Sequence, residues 1–323
     1  MIPLMLLFVS LAYGVMFWII GLFRPIIRAI LFALISFVHP LNYNWFIPEA
    51  SLLDSFFGVE KWQFFAILLS ISIFITLKVK WRYVALLGIL LAINPNPNHK
   101  LPLPKQSIYL SALNTPQDLK WEDSYRDKSI DINLAIINDA IDKKYDIVLL
   151  SESAFALFLN QEPYIMQILK DLSHKISIVT GGLYYDGKDS YNSTYYIIDG
   201  EVQIANKVVL VPFGEEIPLP KFISTFINKI VYDGAEDYIA AENPTEVDIH
   251  GEVFRNAICY EATREELFVG DPKFMLAISN NAWFTPSIEP TLQKLLLRYF
   301  SRVHNTVIYH SATMGENALI RGD

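Results

Sequence analysis

Cysteine is almost missing from this chain of 323 residues: one thiol, Cys259, is present. A single cysteine cannot close an intramolecular disulfide, so no disulfide framework holds the fold in any compartment. Histidine is sparse too. The six imidazoles stand at positions 39, 99, 174, 250, 304 and 310, with no pair at helical ligand spacing and no Cys/His cluster. No metal site and no cofactor are therefore expected. Positive charge is in deficit, with 26 Lys and Arg against 34 Asp and Glu and a formal net charge of −8. Without a basic stripe the electrostatic footprint of nucleic-acid binding is missing, and no nucleic-acid partner is expected. Internal repeats and low-complexity tracts are missing as well.

Apolar residues are in excess, at 52 % of the chain, and residues 1–95 hold most of that excess. Four apolar segments stand out, roughly 2–23, 25–38, 62–77 and 81–93. A span needs about 20 apolar residues, which the first segment has. The third is marginal, and the second and fourth are short unless tilted, re-entrant or supported by neighbours. A secretory signal peptide is the competing reading of the first segment. It lacks a basic leading region and a small-residue cleavage site, and further apolar segments follow it.

Charge orients these segments. Arg24 and Arg28 lie between the first and second, and Lys78, Lys80 and Arg82 between the third and fourth. The 39–61 connection carries Glu49, Asp54 and Glu60 against one Lys. The positive-inside rule puts the two basic connections in the cytoplasm and everything after Ile93 outside it. Met1 then also lies outside, abutting a span, from which one or more missing upstream helices are inferred. The expected organisation is a transmembrane helical region over 1–94, incomplete at its N-terminus, a Pro/Asn-rich linker over 95–105, and a catalytic domain over 106–323.

In the third part, short apolar runs alternate with helical periodicity. Gln106–Leu113, Tyr145–Leu150, Ile176–Tyr184, Phe274–Ser279 and Thr306–His310 read as strands. Segments 193–199 and 201–209 read as a hairpin about Asp199–Gly200, and Glu246–Cys259 as strands about a His250–Gly251 turn. Lys128–Lys143, Tyr164–Leu172 and Glu289–His304 read as helices, the last with Leu292, Leu295, Leu296, Tyr299, Phe300 and Val303 on one face. Mixed strand and helix predicts an α+β fold with helices on the outer faces of two packed sheets.

Three predicted strand ends carry chemistry-bearing side chains: Glu152 in 149–154 (LLSESA), Lys207 in 206–215 (NKVVLVPFGE) and Cys259 in 257–261 (AICYE). Strand ends are where open α/β architectures place their sites. Taken singly, each has an ordinary reading: a loop carboxylate, a surface lysine, an inert core thiol. In this order and wording they resemble the nitrilase (carbon–nitrogen hydrolase) superfamily, and within it the apolipoprotein N-acyltransferase family. The blocks that carry the resemblance are KVVLVPFGEEIPL (207–219), ICYE (258–261) and SNNAWF (279–284), and the preceding apolar segments agree with it. The pattern departs at Ser151, where the family has Pro, and at Asn281, where it has Asp.

The resemblance implies a nitrilase-like αββα sandwich preceded by a transmembrane helical region. It implies a Glu152–Lys207–Cys259 triad, with Glu215 as a second essential carboxylate and Asn192, just before strand 193–198, in the active site. It makes Tyr260 and Glu261 supporting residues, and Trp283, Phe284 and Phe213 contacts for lipid. It also implies a phospholipid acyl donor, a diacylglyceryl-lipoprotein acceptor, no cofactor, and a multi-pass location in a bacterial inner membrane with the catalytic domain on the periplasmic side. On residue chemistry, Glu152 would serve as general base toward Cys259, and Lys207 would stabilise developing negative charge. A membrane-anchored nitrilase-type amidase and a catalytically inactive scaffold are the alternatives.

Overall fold

The computed structural model describes residues 2–39, 44, 46–95, 100–212, 214–217 and 238–322. The chain divides into two compact units, Met1–Asn98 and His99–Asp323. Their division falls within the stretch read as a linker, of which residues 96–99 lie outside the described residues.

The first unit is helical. Helix α1 runs Ile2–Gly21, α2 Pro25–Ile35, α3 Lys61–Thr76 and α4 Arg82–Ala85, which continues as a 3₁₀ turn over Leu86–Ala92. Pro25 occupies the start of α2, where a missing N–H removes no helical bond. At the head of α3 the Gln63 side chain accepts from the Glu60 backbone N–H at 3.1 Å, closing a capping box. Lys61 then reaches back, its Nζ 2.5 Å from Glu49 Oε1 and 3.1 Å from the Ser36 carbonyl. Glu49 is fully buried, so the pair ties the 3₁₀ turn Pro48–Leu52 to the start of α3, and the bond to Ser36 adds the end of α2. The expected fourth apolar segment is thus a short α-helix joined to a 3₁₀ turn. Counting residues whose side chains are described, which in α1 begin at Leu7, no helix is long and apolar enough to cross a membrane. The whole of α1 is twenty residues without a charged side chain.

The second unit is two sheets with helices outside. In chain order it runs β1 (Ile108–Leu110), α5 (Gln117–Lys120), α6 (Asp123–Asp142), β2 (Ile147–Leu149), β3 (Phe155–Phe158), α7 (Pro163–Ser173), β4 (Ser177–Tyr185), β5 (Ser190–Ile198) and β6 (Glu201–Asn206). It continues with β7 (Glu246–Ile249), β8 (Glu252–Ile258), β9 (Phe274–Asn280), α8 (Glu289–His304), β10 (Val307–Thr313) and β11 (Ala318–Ile320). One sheet has the order β1-β2-β4-β5-β6 with β3 beside β4; the other has β11-β10-β9-β8-β7. β1, β2 and β4 are parallel, as are β8, β9 and β10. The expected turns are tight ones: Asp199 and Gly200 have φ of 49° and 85°, His250 and Gly251 52° and 85°. β3 and β11 were not anticipated.

Side-chain alternation explains the layers. Ile147, Leu149, Val179 and Tyr196 pack against Phe254, Ile258, Leu276 and Ile278 of the other sheet. Val148, Leu150, Ile178 and Ile197 point the opposite way, into a cluster with Ile137 of α6 and Leu169 of α7. Parallel strands buried on both faces read as unbroken apolar runs, as 147–150 does. Polar bridges also cross between the sheets. Ser151 Oγ lies 2.6 Å from Thr313 Oγ1, and the Tyr196 hydroxyl donates to Asn256 Oδ1 at 3.0 Å.

β4 presses directly on the chain that follows β2. A Cβ added at Gly181 would stand 2.5 Å from the Ser153 nitrogen, 2.7 Å from Glu152 Cα and 2.8 Å from the Ser151 oxygen. Backbone cannot yield as a side-chain tip can. Gly181→Ala is expected to cost about 1–3 kcal/mol, the usual range for an overpacked core. A melt followed by circular dichroism tests this, and an unchanged Tm would show that the Ser151–Ser153 backbone moves aside freely.

Candidate active site

Two sharp backbone turns deliver the key side chains. Glu152 follows β2 and precedes Ser153, whose φ is 48°; Cys259 follows β8 and itself has φ of 56°. Left-handed φ is costly for residues with a Cβ and tends to persist where the fold over-determines it. Lys207 directly follows β6, held on both sides: its N–H donates to the Asn192 carbonyl at 2.9 Å and its carbonyl accepts from Ala241 N–H at 2.8 Å.

The side chains converge in a buried polar cluster. Glu152, Lys207 and Cys259 are 6 %, 1 % and 8 % exposed. Lys207 Nζ lies 2.7 Å from Glu215 Oε2 and 3.9 Å from Glu152 Oε1. Asn192 Nδ2 donates to Glu152 Oε1 and to Glu215 Oε1, each at 2.8 Å, so one amide bridges two carboxylates that would otherwise repel. Glu215 also caps its own turn, accepting from Val211 N–H at 2.8 Å. Burial works against charge on Lys207, but Glu215, Glu152 and Cys259 outweigh it and hold the ammonium well above the usual lysine range. Burial pushes the Cys259 thiol up, Glu152 adds to that, and Lys207 and a backbone hydrogen bond with Asn280 oppose it.

Asn192 lies inside β5 rather than just before it, because β5 begins at Ser190, paired to Tyr185. Strand alternation then gives Asn192 the same face as Tyr196, the face toward the second sheet. Glu261 is fully buried beneath the cluster. Its Oε2 accepts from the N–H groups of Val208 and Val209 at 2.7 and 3.0 Å, and its Oε1 from Ile258 N–H at 2.8 Å. It thereby ties the backbone after Lys207 to the backbone before Cys259. Tyr260 is half-buried, its hydroxyl accepting from Arg264 Nη1 at 3.0 Å. Trp283 and Phe284, on the 3₁₀ turn after β9, are 65 % and 40 % exposed, which excludes core packing as their role. Phe213 lies outside the described residues.

Two residues of the site carried no signal in the sequence. Lys120, the last residue of α5, is 5 % exposed and donates to the Glu152 carbonyl at 2.9 Å. Tyr238 donates its backbone N–H to the Glu215 carbonyl at 3.1 Å. Burial and the nearby Glu215 and Glu152 raise its phenol above the ordinary range.

Glu261 makes a test by pH. Burial raises its carboxyl to about 7, against Lys207 and the backbone N–H groups that favour the charged form. A carboxyl raised on folding contributes stability at low pH and loses it as pH climbs through the folded value. The Tm of the wild type is expected to fall between about pH 5 and 8 more steeply than that of Glu261→Gln, which cannot titrate. Parallel slopes in the two melts would mean that Glu261 stays ionised throughout.

Residues 1–95 match the family described as "Apolipoprotein N-acyltransferase integral membrane domain". The chain is 41 % identical over 323 residues to an apolipoprotein N-acyltransferase of Wolinella succinogenes, covering 99 % of this chain and 78 % of the relative. It is 35 % identical to one of Helicobacter pylori, covering 99 % of this chain and 76 % of that one. Among solved structures it resembles a CN-hydrolase superfamily protein of Xanthomonas campestris at 16 % identity, with a TM-score of 0.51 and coverage of 68 % of this chain and 84 % of that one. It likewise resembles a glutamine-dependent NAD+ synthetase of Acinetobacter baumannii at 15 % identity and a TM-score of 0.50, over 67 % of this chain and 40 % of that one. These two likenesses establish the nitrilase-like fold.

Proposed function

The chain belongs to the apolipoprotein N-acyltransferase family, and from that premise we propose that it moves a fatty acyl chain from a phospholipid to the α-amine of a diacylglyceryl-cysteine lipoprotein, through a thioester on Cys259. The observation that carries the reading is the convergence of Glu152, Lys207 and Cys259 from three strand ends, on two sheets, into one buried cluster.

In the first half-reaction the Glu152 carboxylate takes the Sγ proton as Cys259 attacks the carbonyl carbon of the sn-1 ester. Negative charge moves onto the carbonyl oxygen, where the Lys207 ammonium and the backbone N–H after Cys259 stabilise it. The C–O bond then breaks, the leaving oxygen takes the proton from Glu152, and a lysophospholipid departs. In the second half-reaction the lipoprotein amine attacks the thioester carbonyl and gives a proton to Glu152. The C–S bond breaks, the sulfur recovers the proton, and an amide is released. Glu215 and Asn192 hold Lys207 and Glu152 in register throughout.

The membrane match over residues 1–95 supports a location where both lipids are available. The finer reading is a multi-pass protein of a bacterial inner membrane, with domain 106–323 on the periplasmic side and Trp283 and Phe284 meeting the incoming lipid. Their exposure supports that role.

Intact-protein mass spectrometry tests the reading. Detergent-solubilised chain incubated with phosphatidylethanolamine is expected to gain one fatty acyl mass, labile to hydroxylamine, and Cys259→Ala is expected to gain none. A folded wild type that gains no acyl mass would refute transfer through a Cys259 thioester.

A further inference from the structure

Lys120 is a buried cation, 5 % exposed, that the mechanism above leaves unused. It ends the short helix α5, and its Nζ donates to the backbone carbonyl of Glu152 at 2.9 Å. A carbonyl needs only a neutral donor, and two residues further along Asn133 Nδ2 supplies one to Ala154 O at 2.7 Å. Burying an ammonium carries a large desolvation cost. A neutral amide would hold the backbone without that cost, so the charge calls for another explanation.

The charges of the cluster supply it. Lys207 is closer to Glu215, at 2.7 Å, than to Glu152, at 3.9 Å. Glu152 and Glu215 against Lys207 leave these three one charge negative, before any charge on Glu261 is counted, and that is the wrong sign for forming a thiolate. Lys120 restores the balance. Both Glu152 and Cys259 act on its ammonium electrostatically. Glu122 and Arg126 line a small cavity with it, and Arg126 is paired to Glu162 at 2.5 Å. Helix α5 is also anchored toward the thiol. Gln117 Oε1 accepts from Asn280 Nδ2 at 2.9 Å, and the Asn280 backbone makes a hydrogen bond with Cys259.

We propose that Lys120 is a further positioning residue of the reaction, fixing the Glu152 backbone and holding the positive charge that favours the Cys259 thiolate. It acts through Glu152 and Cys259 rather than on substrate, and its part in acyl transfer rests on the reading of those two residues given above. Burial lowers its ammonium to about 8, against Glu152 and Cys259. The charge is therefore present below that pH and is lost as pH rises through it.

The test reads Cys259 directly, with the detergent-solubilised 323-residue chain and iodoacetamide, an uncharged reagent that needs no lipid. The alkylation rate is measured from about pH 6 to 10 for wild type, Lys120→Met and Lys120→Arg, with a thermal melt of each. Loss of one pKa unit of thiolate stabilisation is a tenfold loss of thiolate. Lys120→Met is expected to react about tenfold more slowly at pH 7. The wild-type curve of log rate against pH is expected to bend downward near pH 8, and Lys120→Arg, which keeps its charge, to approach the wild-type rate without that bend. Lys120→Met and Lys120→Arg both matching the wild-type rate and bend would overturn the proposal. If Lys120→Met does not fold, Lys120→Arg decides: a bend near pH 8 retained there overturns it as well. Acyl-adduct formation from phosphatidylethanolamine, run in parallel, separates the two ideas. A wild type that forms no adduct counts against the thioester reading, while the alkylation curves still decide the role of Lys120.

Discussion

An ammonium at the Lys207 position sits almost wholly out of water, 1 % exposed, and the surrounding polar architecture follows from that. A buried charge is tolerated only when paired and hydrogen-bonded around its partners. Glu215 supplies the pair, Glu152 a second carboxylate, and Asn192 the amide that keeps the two carboxylates side by side. Each is delivered by a different stretch of chain. The cluster therefore exists only when β2, β5, β6 and the 211–215 turn are in register. Glu261 extends the requirement to the second sheet by binding the N–H groups of Val208, Val209 and Ile258 together. The two sheets are joined at the site by polar contacts, and away from it by the apolar layer of Ile147, Leu149, Phe254 and Leu276.

How far the sequence could be read depended on the distance over which each signal acts. Buried parallel strands leave continuous apolar runs, and two-residue turns leave Asp-Gly and His-Gly pairs, so β2, β4, β9 and the two hairpins could be read locally. The three-residue β11 and the irregular β3 have too few residues to show a period. Glu152, Lys207 and Cys259 stood out because each ends such a run. Lys120 and Tyr238 do not: one closes a four-residue helix, and the other ends no apolar run. Their significance is a matter of what lies opposite them in space. Asn192 fell between these cases, since its neighbours read as strand but the point where pairing starts is set by Tyr185–Ser190 across the hairpin.

The helical unit shows the same economy with charge. Glu49, fully buried, pairs with the partly exposed Lys61 among apolar helices, and Lys61 also faces the Phe37 ring at 5.3 Å. Such a pair adds little net stability compared with apolar packing, but it favours one mutual placement of the helix ends it joins. The apolar segment 81–93 departs from regular α-helix after Ala85, where Gly88 faces the Ser70 side chain of α3. A Cβ at Gly88 would meet the Ser70 hydroxyl, so any larger residue here requires the Ser70 side chain to turn away.

In the proposed reaction the resting thiol is not poised as a thiolate. Burial and Glu152 both push Cys259 up, so at neutral pH the sulfur keeps its proton. The proton must then leave as the carbon–sulfur bond forms, and it must have somewhere near to go. Transfer to Glu152 within the cluster leaves the net charge unchanged, because a carboxylate is neutralised as negative charge moves to sulfur and on to the carbonyl oxygen. With two ammoniums opposite two carboxylates, that redistribution takes place among charges already fixed in position, and no ion has to be drawn in from solvent. The same balance serves the return step, in which the acceptor amine gives its proton to Glu152 and the sulfur takes it back. A site of this kind makes its thiolate only as the proton leaves. It depends on the carboxylate being near and aimed, which is what Asn192, Lys207 and Lys120 each hold from a different side.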